Sequence, residues 1–159
     1  MSGNQIGTVI GVLFGCAWGI AGATRLPRAW RAAVVLTSIL ISASLIAAVT
    51  RVHAAVAGRF NGAIYGAAVA AEVLAIIIAA IILNRLNRKT FVPPVLCVIV
   101  GLHFLGLWQA TNDVAFVVLA VGLCAIGAAA ASLRPSLRLA AAGLGSAIAL
   151  WLAAASTLA

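Results

Sequence analysis

The chain has 159 residues, of which 65% are hydrophobic and 8% charged, and its formal net charge is +8. A soluble domain carries about 25% charged residues, so this composition excludes a water-facing globular surface. The basic excess does not point to nucleic acid, because Lys and Arg sit in pairs and triplets beside apolar runs, as the flanks of membrane spans do.

A spanning helix needs roughly 20 apolar residues. In chain order the candidate spans are Ile6–Ala23, Ala32–Thr50, Gly62–Leu83, Val92–Gln109, Val114–Ala131 and Leu139–Ala155. They use most of residues 1–159 and imply a single transmembrane domain, an all-α bundle of six helices. Strands are excluded by lipid, where an open edge leaves backbone polar groups unpaired, and the runs lack the alternation of barrel strands.

The first span carries Gly3, Gly7, Gly11, Gly15 and Gly19, four residues apart. Small residues at this spacing let helix backbones approach closely. Packing on a neighbouring helix of the same chain is the main expectation, and a homo-oligomer seam through Gly7, Gly11, Gly15 and Gly19 the alternative. Arginines follow this run instead of preceding it, the reverse of a signal peptide, so it is expected to stay as a span.

The basic residues set orientation. Arg25, Arg28 and Arg31 follow span one; Arg85, Arg88 and Lys89 follow span three; Arg134 and Arg138 follow span five; only Arg51 and Arg59 lie in the second loop. The positive-inside rule then places the odd loops in the cytoplasm and both termini outside. Trp18 and Trp30 would mark the inner interface, and Trp108 and Trp151 the outer one. High Ala and Arg content suggests a GC-rich genome, hence the inner (plasma) membrane of a bacterium.

Span two has Thr37, Ser44 and Arg51 at heptad spacing, with Ser38 and Ser42 beside them. Arg51, His53, Arg59 and Asp113 would sit at an outer mouth, by default a solvated rim, where Arg59 could pair with Asp113 or gather anions. In span three, Glu72 falls near the bilayer midplane, where an ionised side chain costs a few kcal/mol and usually faces the bundle interior or a water-filled cavity. Asn61, Tyr65 and Glu72 share one helix face within about 40°, a polar stripe from the outer surface to the middle. The bland reading is a neutral, hydrogen-bonded carboxylic acid packed on a neighbour; the functional one is a proton or cation site. His103 in span four lies about one helical turn from Glu72 in depth, close enough for a direct or water-bridged pair, and histidine is a usual proton-relay member. Its bland reading is a core histidine bonded to a carbonyl.

Cys16, Cys97 and Cys124 lie inside spans without ligand spacing, and neither a CxxC nor an HExxH motif occurs, so no metal or other cofactor is expected. All four prolines lie outside span interiors, and Pro93-Pro94 opens span four, where a missing N–H costs little. No nucleophile–base motif and no phosphate loop is present, so an enzyme of the soluble type is not expected.

The run Phe91 to Leu107, with Pro93-Pro94 at the helix start followed by Val100-Gly101-Leu102-His103-Phe104, resembles a family of small uncharacterised bacterial integral membrane proteins. The resemblance covers about residues 59–107, with Arg59 and Glu72 matching a basic-aromatic entry and an acid in the preceding span. Gly106 stands where those proteins commonly have proline. The resemblance implies no activity, but it draws Glu72 and His103 together as a pair.

Three functions are then open. One is a proton-coupled or cation transporter or channel using Glu72, with His103 as partner and Asn61 and Tyr65 as the outer entry. The second is a non-transporting scaffold or complex subunit held by its glycine seam. The third is a membrane-embedded enzyme acting on lipid or quinone. The transporter is the leading expectation, and the lipid bilayer is the one partner common to all three.

Overall fold

The computed structural model describes residues 3–51 and 61–158, with side chains from residue 7 onward. It consists of α1 (Gly3–Ala23), α2 (Arg28–Arg51), α3 (Gly62–Arg85), a single 3-10 turn (Lys89–Phe91), α4 (Val92–Thr111), α5 (Ala115–Ser132) and α6 (Pro135–Ser156). The fold is an all-α bundle, with no strand among the described residues. Each expected span falls within a few residues of an observed helix. Five helices, α2 to α6, are long and apolar enough to cross a bilayer. In α1 the 21-residue helix contains the shorter apolar stretch Gly7–Ala23. The apolar helices fit a multi-pass integral membrane protein.

Local chemistry explains where the helices stop and start. Asn61 caps α3: its Oδ1 accepts from the Ala63 N–H at 3.1 Å and the Ile64 N–H at 3.2 Å, which satisfies two of the first-turn donors. Asn87 (φ 54°) and Asn112 (φ 59°) adopt the left-handed conformation just after α3 and α4, a role asparagine fills at helix ends when glycine does not. Pro93 and Pro94 lie in the first turn of α4 and Pro135 opens α6, while Pro27 immediately precedes α2.

Consecutive helices run antiparallel. Gly19 meets Ser38, Gly15 meets Trp151, Gly22 meets Gly143, and Gly101 meets Cys124 and the Ala120 carbonyl. The result places Arg25, Arg28, Arg31, Arg85, Arg88, Lys89, Arg134 and Arg138 at one end, the basic end. There Arg138 lies over the Phe91 ring at 3.7 Å and donates from Nη1 to Thr90 Oγ1 at 3.1 Å, tying the turn before α4 to α6.

Helix α6 is the axis of the bundle. It packs mainly on α1 and α5, with lesser contacts to α4 and α2. The core cluster is Cys97, Val100, Leu119, Leu123, Ala130, Ala142 and Leu150. Many large apolar side chains face outward, as with Leu40 (66% exposed), Val118 (69%) and Leu152 (65%). Lipid tails are as apolar as leucine, so nothing drives these residues inward, and helices associate through close backbone approach and buried polar contacts. Two such contacts pin the bundle. Trp151 Nε1 donates to Ser42 Oγ at 3.1 Å, and Ser42 Oγ lies 3.5 Å from the Val12 carbonyl, linking α6, α2 and α1. Cys97 Sγ lies 3.0 Å from Ser146 Oγ and donates to the Leu123 carbonyl at 3.2 Å, linking α4, α6 and α5.

Several expectations change here. Trp151 is not an interfacial anchor: its indole fills the space left by Gly15 and Gly19, and its N–H finds a partner inside the bundle. The buried face of α2 is Ser38, Ser42 and Val49, while Thr37, Ser44 and Arg51 are exposed. The glycine stripe divides. Gly15 and Gly19 are covered by α6 and α2, whereas a Cβ at Gly7 or Gly11 would meet nothing within 4 Å.

Candidate functional site

Helix α3 is the peripheral element. None of its residues is buried, and among the described residues it packs on α4 and the 3-10 turn. The α3–α4 approach is close where a Cβ on Gly106 would come within 2.5 Å of Ala68 Cβ. One turn further along α3, Glu72 meets α4. It is the eleventh residue of α3, about 15 Å from the helix start at 1.5 Å per residue, so it lies near mid-span. His103 lies about 12 Å before the end of α4 by the same rise.

Glu72 Oε2 and His103 Nδ1 are 3.3 Å apart, and the two side chains are only 15% and 10% exposed. The distance is that of an ion pair, yet Nδ1 makes no aligned hydrogen bond. The contact is therefore a proximity of titratable groups, not a directed bond. The Tyr65 ring lies edge-on to His103 with centroids 6.4 Å apart, and Phe104 does so at 5.9 Å. Phe104 in turn stacks on Phe116 at 6.0 Å. Aromatic rings thus fix the imidazole on two sides and leave its third side to the carboxylate.

Two clefts flank the α3–α4 contact, and Glu72 lines both. The first, about 550 Å³, runs between α3 and α4 past Ile64, Ala68, Ile99, Leu102 and His103 to Gln109. Ile64 is near the start of α3 and Gln109 near the end of α4, so this cleft occupies the half of the bundle away from the basic end. The second, about 400 Å³, is walled by Phe14, Ala17 and Trp18 of α1, Val73 and Ile76 of α3, and Leu96 of α4. These residues belong to the half toward the basic end. On α3, at about 100° per residue, the first set falls to one side of Glu72 and Val73 and Ile76 to the other. Glu72 therefore borders both clefts, and His103, the neighbour of its carboxylate, lines the first and not the second.

The other candidates fall elsewhere. Asn61 is exposed, and its side-chain oxygen is taken by the α3 cap. Its backbone N–H bonds the Ala110 carbonyl at 3.0 Å, holding the start of α3 to the end of α4. Tyr65 reaches the site through its ring against His103. Asp113 accepts from the Ala115 N–H at 2.9 Å and so starts α5. Arg51 is exposed at the end of α2. Arg59 and His53 lie outside the described residues, and so does the suggested pairing of Arg59 with Asp113. Reading the sequence missed Gln109, Phe14 and Trp18 as cleft residues. Gln109 had a signal, being a lone amide at a span end; the two aromatics did not, since nothing in sequence brings α1 beside α3.

Comparison with protein-family models, curated proteins and solved structures finds no match.

Proposed function

We propose that this is a small proton-coupled cation transporter of a bacterial plasma membrane, in which Glu72 is the protonatable carrier and His103 its partner. The observation that carries the reading is the pairing of Glu72 with His103 near mid-span, with the two side chains 15% and 10% exposed. A carboxyl group in that position can bind and release a proton in the middle of the span, where an ionised side chain is costly and marks a functional site. His103, 3.3 Å away, would accept the proton in transit or balance the carboxylate when ionised. The basic end would face the cytoplasm, by the positive-inside rule. The test is purified protein in liposomes with an entrapped pH dye and an imposed cation gradient. The reading expects proton counterflow that disappears in Glu72→Gln; counterflow unchanged in that variant would refute it.

A non-transporting assembly module is the second reading, favoured by the open space beside Gly7 and Gly11. It expects those positions, and not Glu72, to control a homo-oligomer, which cross-linking in native membranes would read.

A further inference from the structure

The cations of the basic end have no acid to meet. The chain holds two acidic residues, Glu72 near mid-span and Asp113 at the opposite end. The helices that start at the basic end add to the charge: α2, α4 and α6 have no acid in the first turn, and a helix N-terminus is itself partly positive. Two of the cations converge from different elements. Arg138 of α6 lies over the Phe91 ring at 3.7 Å, and Arg88, between α3 and the 3-10 turn, over the same ring at 5.9 Å. Guanidinium groups over one ring stand within about one screening length, about 8–10 Å, so their repulsion is felt. Arg138 is half-buried and held by neutral acceptors. Its Nε donates to the Leu133 carbonyl at 3.1 Å and its Nη1 to Thr90 Oγ1 at 3.1 Å, which leaves Nη2 without an acceptor among the described residues. Leu86, Leu133 and Leu137, next to these cations in the chain, are exposed. The first loop differs: Arg25, Arg28 and Arg31 are all exposed, and Arg31 Nη2 is taken by the Leu26 carbonyl at 3.3 Å.

We propose that this corner binds the headgroup phosphate of an anionic phospholipid, which bridges Arg88 and Arg138 and so fastens the end of α3 to the start of α6. The corner lies at a span end, the depth of lipid headgroups, where basic pockets between helices take anionic lipids. Phosphate oxygens accept charge-assisted bonds from guanidinium forks, and their charge offsets the repulsion between the two arginines. Arg85, Lys89 and Arg134 stand at the ends of the same elements and add to the attraction. The exposed leucines favour a lipid over a free phosphate, because apolar surface beside the cations serves acyl chains and gives an inorganic anion nothing. A zwitterionic lipid is a poorer match, since it brings its own ammonium to a cationic corner. The consequence falls on α3, which buries no residue and meets α6 mainly through the 3-10 turn. The bridge adds a tie where the bundle is loosest. The inference does not depend on the transport reading.

The experiment titrates phosphatidylglycerol, or zwitterionic phosphatidylcholine, into the delipidated full chain in neutral detergent. It counts the lipid that stays with the protein by mass spectrometry and follows amide hydrogen exchange along α3. Wild type should retain phosphatidylglycerol in preference to phosphatidylcholine, and exchange at the end of α3 should slow as it binds. Arg88→Gln and Arg138→Gln should each weaken retention by about tenfold or more, as for loss of a charge-assisted bond. Arg138→Lys, which keeps the charge without the fork, should fall between, and Arg28→Gln should match wild type. Arg88→Gln leaves Arg138 on the Phe91 ring, so it tests the site even if Arg138→Gln fails to fold. An equal loss in Arg28→Gln and Arg88→Gln would show diffuse attraction to the whole basic end and overturn the inference. Equal retention of the two lipids would do the same. Glycerophosphoglycerol, the headgroup without acyl chains, should not slow exchange; if it acts as strongly as the lipid, the site takes a free phosphate and the lipid assignment falls. Retention without slower exchange in α3 would overturn the bridge.

Discussion

The crossing of α1 and α6 offers a sharp test of how this bundle is held. A Cβ at Gly143 would lie 2.7 Å from Gly22 Cα, 2.7 Å from Gly22 N and 2.7 Å from the Trp18 carbonyl oxygen. All three are backbone atoms, so no rotamer change relieves the clash. Carbon atoms rest about 3.5–4.0 Å apart, so Gly143→Ala must move the helices apart by about 1 Å locally. A gap of that size forfeits about a quarter to a half of each affected contact. Overpacking of this kind costs about 1–3 kcal/mol, against a helix-propensity gain of no more than about 1 kcal/mol. Gly11→Ala, four residues apart from Gly15 on the same stripe, meets nothing within 4 Å and should be neutral or gain up to about 1 kcal/mol. The propensity gain is common to both variants, so reversible unfolding in mixed micelles should separate them by the overpacking cost, about 1–3 kcal/mol. Gly22→Ala together with Gly143→Ala should cost less than the sum of the two, because one separation relieves both clashes. Equal stability of Gly143→Ala and Gly11→Ala would refute the reasoning. A large loss in Gly11→Ala together with loss of a dimer would move the important seam to the far end of α1.

Other consequences can be checked with the same unfolding assay. Trp151→Phe removes the donor to Ser42 and should cost about 0.5–1.5 kcal/mol; Ser42→Ala should cost a similar amount, and the double variant clearly less than the sum. Arg138→Lys keeps the charge but should lose about 0.5–1 kcal/mol, because the planar stack on Phe91 at 3.7 Å needs the guanidinium. Cys97 is fully buried and bonded to Ser146 and Leu123, so it should be the slowest of the three thiols to react with a maleimide in native micelles; labelling of Cys97 as fast as Cys16 would show that the α4–α5–α6 junction opens readily.

Much of this architecture was legible in the sequence because lipid imposes length and backbone satisfaction on every span. The runs around Ala115 and Pro135, for example, are bounded by short polar connections that can only be turns. Which glycines matter was not legible. The register of Gly7, Gly11, Gly15 and Gly19 suggested one continuous seam, yet a tryptophan from α6 covers only part of it. Meanwhile Gly106, Gly127 and Gly143, which belong to no four-residue repeat, make approaches as close as those of Gly15 and Gly19. Close approach depends on the partner helix, and a single chain of letters does not state partners. The same limit explains Asn61. Its helix-face position placed it with Tyr65 and Glu72, but a residue just before a helix has a local use for its oxygen that outweighs the face it shares. Glu72 and His103 were legible because α3 and α4 are joined by a short connection, which fixes an antiparallel register.

The distribution of packing bears on how a carrier could work here. The tight crossings, Gly22 on Gly143, Gly101 on Cys124, and Gly127 on the Pro94 carbonyl, all lie among α1, α4, α5 and α6. Backbone against backbone, these helices cannot slide without losing many contacts together. Helix α3 is different: it buries no residue, and its ties are the Asn61–Ala110 backbone bond at one end, the 3-10 turn at the other, and small-residue contact at Ala68 between them. A shift of α3 along or about α4 therefore disturbs the least packing in the bundle. It would also change which of the two flanking clefts Glu72 faces, since Val73 and Ile76 stand to one side of it and Ala68 and Ile64 to the other. The carboxylate is thus carried by the helix that is cheapest to move, while His103 sits on a helix locked into the core. In the proposed transporter, this division between a loosely held element and a fixed one would serve alternating exposure of Glu72.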